Sequence, residues 1–95
     1  MELHVTKKAV QWYKEELLVD EGMTIRFFVR YGGVGGLVPG FSIGVKVEEE
    51  NQPHVSVVVD GITFFVSEED AWYFDGKDLH VTYDEQLEEP QFTYL

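Results

Sequence analysis

The 95-residue sequence predicts an α+β fold that is mostly β, and three patterns carry that expectation. Near the start, apolar residues recur every three or four positions, the period of a helix lying on a core. From Thr24 onward the period drops to two, as a half-buried strand requires, and later segments repeat it. Between those segments stand glycine, proline, asparagine and aspartate, the residues that tight turns select.

Thr6 is placed to cap a helix whose apolar stripe is Ala9, Val10, Tyr13 and Leu17, with Lys7, Lys8, Gln11, Lys14 and Glu15 on the other side. Asp20-Glu21-Gly22 is its expected end. In the next segment Ile25, Phe27, Val29 and Tyr31 point one way and Arg26, Phe28 and Arg30 the other, so a strand runs into the loop Gly32-Gly33-Val34-Gly35-Gly36. After Pro39-Gly40 the alternation resumes, with Phe41, Ile43, Val45 and Val47 opposite Ser42, Gly44 and Lys46. The loop is therefore expected to join two antiparallel strands. The acidic run Glu48 to Pro53 ends the second.

His54 to Val59 and Ile62 to Val66 flank Asp60-Gly61, a two-residue turn suited to positive φ, and form the clearest hairpin. Ser67-Glu68-Glu69-Asp70 has the form of a capping box before a short helical turn carrying Ala71, Trp72, Tyr73 and Phe74. Asp75-Gly76 ends it. Leu79, Val81 and Tyr83 alternate with His80 and Thr82, and Phe92 and Tyr94 mark a short last strand. The sum is one N-terminal helix, about six short strands and a short second helix, expected as a single domain over residues 1–95.

Composition narrows the function. Eighteen acidic residues against 7 basic ones leave a formal charge of -11, a field that repels phosphate backbones and anionic headgroups. Neither nucleic acid nor a membrane is an expected partner. The N-terminus lacks the order of a secretion signal, and no apolar run approaches the roughly 20 residues that span a bilayer, so a cytoplasmic location is expected. There is no cysteine, hence no disulfide framework and no thiolate for a cluster or for nucleophilic chemistry.

Several motifs fail on their context. Gly33-Val34-Gly35 would need a third glycine at 38 to match a dinucleotide fingerprint, and that residue is Val38. Gly40-Phe41-Ser42-Ile43-Gly44 matches the spacing of a nucleophile elbow, with Asp60 and His80 following in hydrolase order, but Ser42 lies within an alternating strand with no helix behind it. No catalytic residue and no cofactor are assigned, and the protein is expected not to be an enzyme. His4, His54 and His80 share no ligand spacing, so each is read as structural and no metal ligand is assigned. The folded chain can still bring one or two of them beside Glu48, Glu49 or Glu50 as an oxygen-rich metal site, since carboxylates and imidazoles bind iron or manganese without sulfur. Trp12, Tyr13, Trp72, Tyr73 and Phe74 are read first as core or subunit-contact residues. Arg26 and Arg30, on one strand face with Phe28, are expected to pair with acidic loops, those of the same chain ahead of those of a second copy.

Laid out in this order, the chain resembles the HesB/IscA-like family of A-type iron-sulfur carriers. The likeness is carried by Leu3-His4-Val5-Thr6-Lys7-Lys8-Ala9, by Ile25-Arg26-Phe27-Phe28-Val29-Arg30 running into the glycine loop, and by Val57-Val58-Val59-Asp60-Gly61. It implies a compact domain of two small mixed sheets with helices packed against them. The family's loop commonly reads Gly-Cys-Ser-Gly where this chain has Gly33-Val34-Gly35-Gly36, and its tail carries Cys-Gly-Cys where this chain ends Phe92-Thr93-Tyr94-Leu95. The chain would thus belong to a cysteine-free subgroup that keeps the scaffold without cluster ligation.

The role implied is accessory or regulatory in iron or iron-sulfur metabolism. The partner is a protein of that metabolism, with a second copy of the chain as another, and the contact loop is Gly33, Val34, Gly35, Gly36, Leu37 and Val38, the last two supplying apolar surface. The alternative is a small-ligand or metal binder that uses histidine and carboxylate donors in an aromatic-lined space between sheet and helix.

Overall fold

The computed structural model describes residues 1–33 and 35–95, and it has the expected architecture: mostly β, with two small mixed sheets and two helices. The elements in chain order are β1 (Leu3–Val5), α1 (Lys7–Glu16), β2 (Thr24–Tyr31), β3 (Phe41–Val47), β4 (Pro53–Val59), β5 (Ile62–Ser67), a 3-10 turn over Glu68–Asp70, α2 (Ala71–Phe74), β6 (Leu79–Asp84) and β7 (Glu89–Tyr94).

Four strands form one sheet in the order β3-β2-β5-β4. Its two antiparallel hairpins, β2 with β3 and β4 with β5, are joined by the parallel pairing of β2 and β5 through Ile25 and Phe64. The β4–β5 hairpin turns at Asp60 and Gly61 with φ of 51° and 78°, as that dipeptide predicts. The second sheet has the order β1-β6-β7, with β1 parallel to β6 and β7 antiparallel to it. β1 lies outside the sequence expectation because three residues are too few to display a period. It exists by pairing with β6, in the register Leu3↔Leu79, His4↔His80, Val5↔Val81.

Thr6 caps α1 as expected, its Oγ1 accepting from the Ala9 amide at 3.3 Å. The helix stops at Glu16, short of the expected end, because Leu18 takes a left-handed φ of 54° and turns the chain away. The capping-box reading of Ser67 is also corrected. Ser67 ends β5 and precedes the 3-10 turn, but its hydroxyl donates to the Asn51 carbonyl at 3.3 Å and accepts from no amide of the turn.

One cluster of buried side chains runs between the sheets and α1. Tyr13 of α1 meets Phe27 and Phe64 of the larger sheet, each at 5.9 Å between ring centroids. Phe27 lies 5.7 Å from Phe64 on one side and 5.7 Å from Phe92 of β7 on the other, so this aromatic contact links both sheets. The Tyr13 hydroxyl is buried with no hydrogen-bond partner among the described residues, and desolvation raises its pKa. No helix of the described residues is long and apolar enough to cross a membrane.

Candidate functional site

β2 and β3 stay in register to their ends, Tyr31 opposite Phe41, and the glycine loop closes this hairpin. Its base is held by the Gly32 amide donating to the Gly40 carbonyl at 2.7 Å and by the Phe41 amide donating to Val38 at 3.1 Å. Gly33 and Gly35 have φ of 81° and 80°, a region that side-chain-bearing residues rarely enter. Gly36 is needed for a different reason. A Cβ there would collide with the Phe41 carbonyl and the Tyr73 hydroxyl.

That hydroxyl also accepts from the Leu37 amide at 2.6 Å. Tyr73 is fully buried on α2, and its ring stands 6.1 Å from that of Tyr94 on β7. Burial, with the Tyr73 hydroxyl as neighbour, raises the Tyr94 pKa. The glycine loop is thus docked through α2 onto the smaller sheet. Leu37 and Val38, expected as free apolar contacts, are half-buried and pack against the core, while Gly33 and Gly35 face solvent. Val34 lies outside the described residues.

The apolar surface of this corner is aromatic. Tyr31 is 87% exposed and meets Phe41 edge-on at 5.6 Å; Phe41 meets Trp72 at 5.4 Å, and Trp72 is 56% exposed. A continuous strip therefore runs from the β2–β3 hairpin to α2. Of the aromatics read as core, Tyr13, Tyr73 and Phe74 are buried, but Trp72 belongs to this strip. Trp12 is half-buried, with its indole N–H donating to the Glu88 carbonyl at 3.1 Å.

On the other side of the loop, an open cleft of about 840 Å³ lies between it and β7, with Arg30, Gly33, Ser42, Asp84 and Glu89 among its walls. Arg30 Nε donates to Ser42 Oγ at 3.0 Å. Ser42 is therefore a strand residue engaged by an arginine, and the Gly-x-Ser-x-Gly match carries no nucleophile elbow.

Arg26, on the same face of β2, makes the expected pairing within the chain. Its guanidinium contacts Glu48 at 3.0 Å, Glu69 at 2.5 Å and Asp70 at 2.9 Å, tying the 3-10 turn and the end of β3 to the sheet. Burial works against its charge, yet the hydrogen bonds it donates to Glu69, Asp70 and Glu48 outweigh burial and raise its pKa. The hydrogen bond from Arg26 holds the Glu48 carboxyl below its ordinary value. Between the two arginines the Phe28 ring lies over Gly44, and Lys46 Nζ sits 4.8 Å from its centroid.

Glu48 is thus committed to Arg26, and His54 Nδ1 faces Glu68 at 3.2 Å. The oxygen-rich site considered around Glu48, Glu49 and Glu50 is not assembled among the described residues. The structure instead brings together two residues read as separate: His4 and His80 stack with centroids 4.5 Å apart. The sequence carries a signal for this pair, because Leu3-His4-Val5-Thr6 recurs as Leu79-His80-Val81-Thr82.

The chain is 47% identical over 94 residues, 99% of both chains, to the pyruvate dehydrogenase inhibitor of Bacillus subtilis. It is 35% identical to an uncharacterised protein of Staphylococcus saprophyticus, covering 94% of each chain. A further uncharacterised protein, from Staphylococcus aureus, is 34% identical, covering 99% of this chain and 97% of that one. No family model matches the chain, and no solved structure matches it.

These findings overturn the resemblance to the HesB/IscA-like iron-sulfur carriers, and with it the accessory role and the partner in iron-sulfur metabolism. The resemblance rested on short segments that the structure accounts for as a capped helix start, a strand entering a hairpin and a two-residue turn. Such local geometry recurs in unrelated functions. The expectation of a protein that is not an enzyme agrees with the name of the Bacillus relative, an inhibitor.

Proposed function

We propose, since this chain belongs to the family of the Bacillus subtilis pyruvate dehydrogenase inhibitor, that it acts in the cytoplasm as a protein inhibitor of pyruvate dehydrogenase. The observation that carries this reading is identity of 47% spread over 99% of both chains. The inhibitor works as a single domain and by non-covalent contact.

The surface assigned to the enzyme is the corner made by the glycine loop and the Tyr31–Phe41–Trp72 strip. Tyrosine and tryptophan offer large contact area at small entropic cost, and such side chains dominate protein interfaces. Beside them Gly32, Gly36 and Leu37 are already held in place, which lowers the cost of ordering those residues on binding. Gly33, Gly35, Gly36, Leu37 and Val38 thus contribute in two ways, the first two as exposed backbone and the others as the anchor behind it. A net charge of -11 draws the chain toward a basic region of the enzyme and makes association sensitive to salt.

The test is a titration of the purified chain into pyruvate dehydrogenase from Bacillus subtilis while pyruvate-dependent NADH formation is followed. The rate is expected to fall saturably at micromolar chain and to recover as sodium chloride is raised. An unchanged rate at large molar excess would overturn the reading.

A further inference from the structure

The pentapeptide Glu2-Leu3-His4-Val5-Thr6 returns near the other end of the chain as Asp78-Leu79-His80-Val81-Thr82, identical but for one acid exchanged for another. In a strand, residues two apart share a face. Leu3, Val5, Leu79 and Val81 are buried in the core, so each acid and histidine stands on the opposite, outer face. β1 and β6 pair in parallel and in register, which sets the two copies side by side with His4 against His80.

The donor groups converge. The imidazoles stack at 4.5 Å with 21° between their planes. His4 Nε2 lies 3.3 Å from Glu2 Oε1, and Asp78 Oδ1 accepts from the Glu2 amide at 2.7 Å. One ligating atom from each of His4, Asp78 and His80 lies within 4.8 Å of the other two. The frame beneath them is fixed, since β6 is the central strand of its sheet. The Leu79 amide donates to the Glu2 carbonyl at 3.0 Å, and Asp78 and Leu95 exchange backbone hydrogen bonds of 3.0 Å in both directions.

The geometry points to a surface site for a divalent transition-metal ion of the zinc type, held by His4, His80 and Asp78 with Glu2 as the fourth donor. Two imidazoles with carboxylates suit zinc and its neighbours, whereas magnesium and calcium take oxygen donors. Bond lengths of about 2.0–2.2 Å require the donors to close on the ion. The exposed side chains of His4 and Glu2, at 49% and 73%, have the freedom to do so. The ion would clip β1 to β6 and thereby fasten the N-terminal strand to the centre of the smaller sheet. The site goes beyond the inhibitor reading and shares no residue with the Tyr31–Phe41–Trp72 corner.

The experiment uses the full chain without an affinity tag, in buffer free of chelators, titrated calorimetrically with zinc chloride alone. One equivalent is expected to bind at low micromolar concentration, and saturating zinc should raise the melting temperature by several degrees. His4→Ala and His80→Ala should each weaken binding about tenfold or more, and His54→Ala should leave it unchanged. A tenfold excess of magnesium chloride should not compete. Flat heats, or unaltered zinc binding in both His4→Ala and His80→Ala, would overturn the site. Should His80→Ala fail to fold, the exposed His4→Ala variant, checked by its zinc-free melt, decides alone. Pyruvate dehydrogenase takes no part in this titration, so its outcome is separate from that of the inhibition assay.

Discussion

Gly36 has no room for a methyl group, because the Phe41 carbonyl and the Tyr73 hydroxyl occupy the space a Cβ would fill. Gly36→Ala is therefore expected to undock the loop, lowering stability by roughly 1–3 kcal/mol in urea unfolding and weakening inhibition in parallel. Gly35→Ala, with open space but φ of 80°, should cost only about 1 kcal/mol. At Glu48 the residue scale yields a pH dependence. Its folded pKa lies below the ordinary 4.5, so its contribution is complete above that value and is lost as pH falls through the depressed one. The urea midpoint is expected to drop below about pH 4.5, and Glu48→Gln should flatten that slope. The pairing of Arg26 within the chain was legible from alternation and composition. Its three carboxylates were not, because Glu48, Glu69 and Asp70 come from two separate connections.

Among the elements, those with a long period were the ones the sequence displayed. α1, the β2–β3 and β4–β5 hairpins, β6 and β7 each show enough residues for their alternation to be seen, and Asp60-Gly61 names its own turn. β1 was hidden because its partner is 76 residues away in register. The end of α1 was hidden because Leu18, a residue with no turn preference, takes the left-handed conformation. The glycine loop was visible as composition, whereas its docking depends on Tyr73, which only the fold brings to Leu37. The 3-10 turn and α2 hang on Arg26. Arg26→Met leaves Asp70, 7% exposed, without its counter-charge and is expected to lower stability by roughly 3 kcal/mol, measured by thermal or urea unfolding. Glu69→Gln, at an exposed partner, should have little effect.

For the molecule as a whole, the fold class followed from periodicity and turn chemistry, while the identity of the partner did not. A scaffold is built from patterns that a sequence repeats many times, but an interface is built from a few side chains whose neighbours are set by tertiary contact. Tyr31 and Trp72 are 41 positions apart and become one surface only through Phe41. The iron-sulfur reading failed for the same reason: the segments behind it describe local geometry and say nothing of what the corner touches. Tyr31 and Trp72 are largely exposed, so replacing both with alanine should leave the melting temperature nearly unchanged. The most direct test is therefore pyruvate dehydrogenase inhibition by the folded Tyr31→Ala, Trp72→Ala double variant beside the wild-type chain. The half-inhibitory concentration should rise at least about tenfold; an equal potency for the two chains would contradict the assignment of this corner as the inhibitory surface.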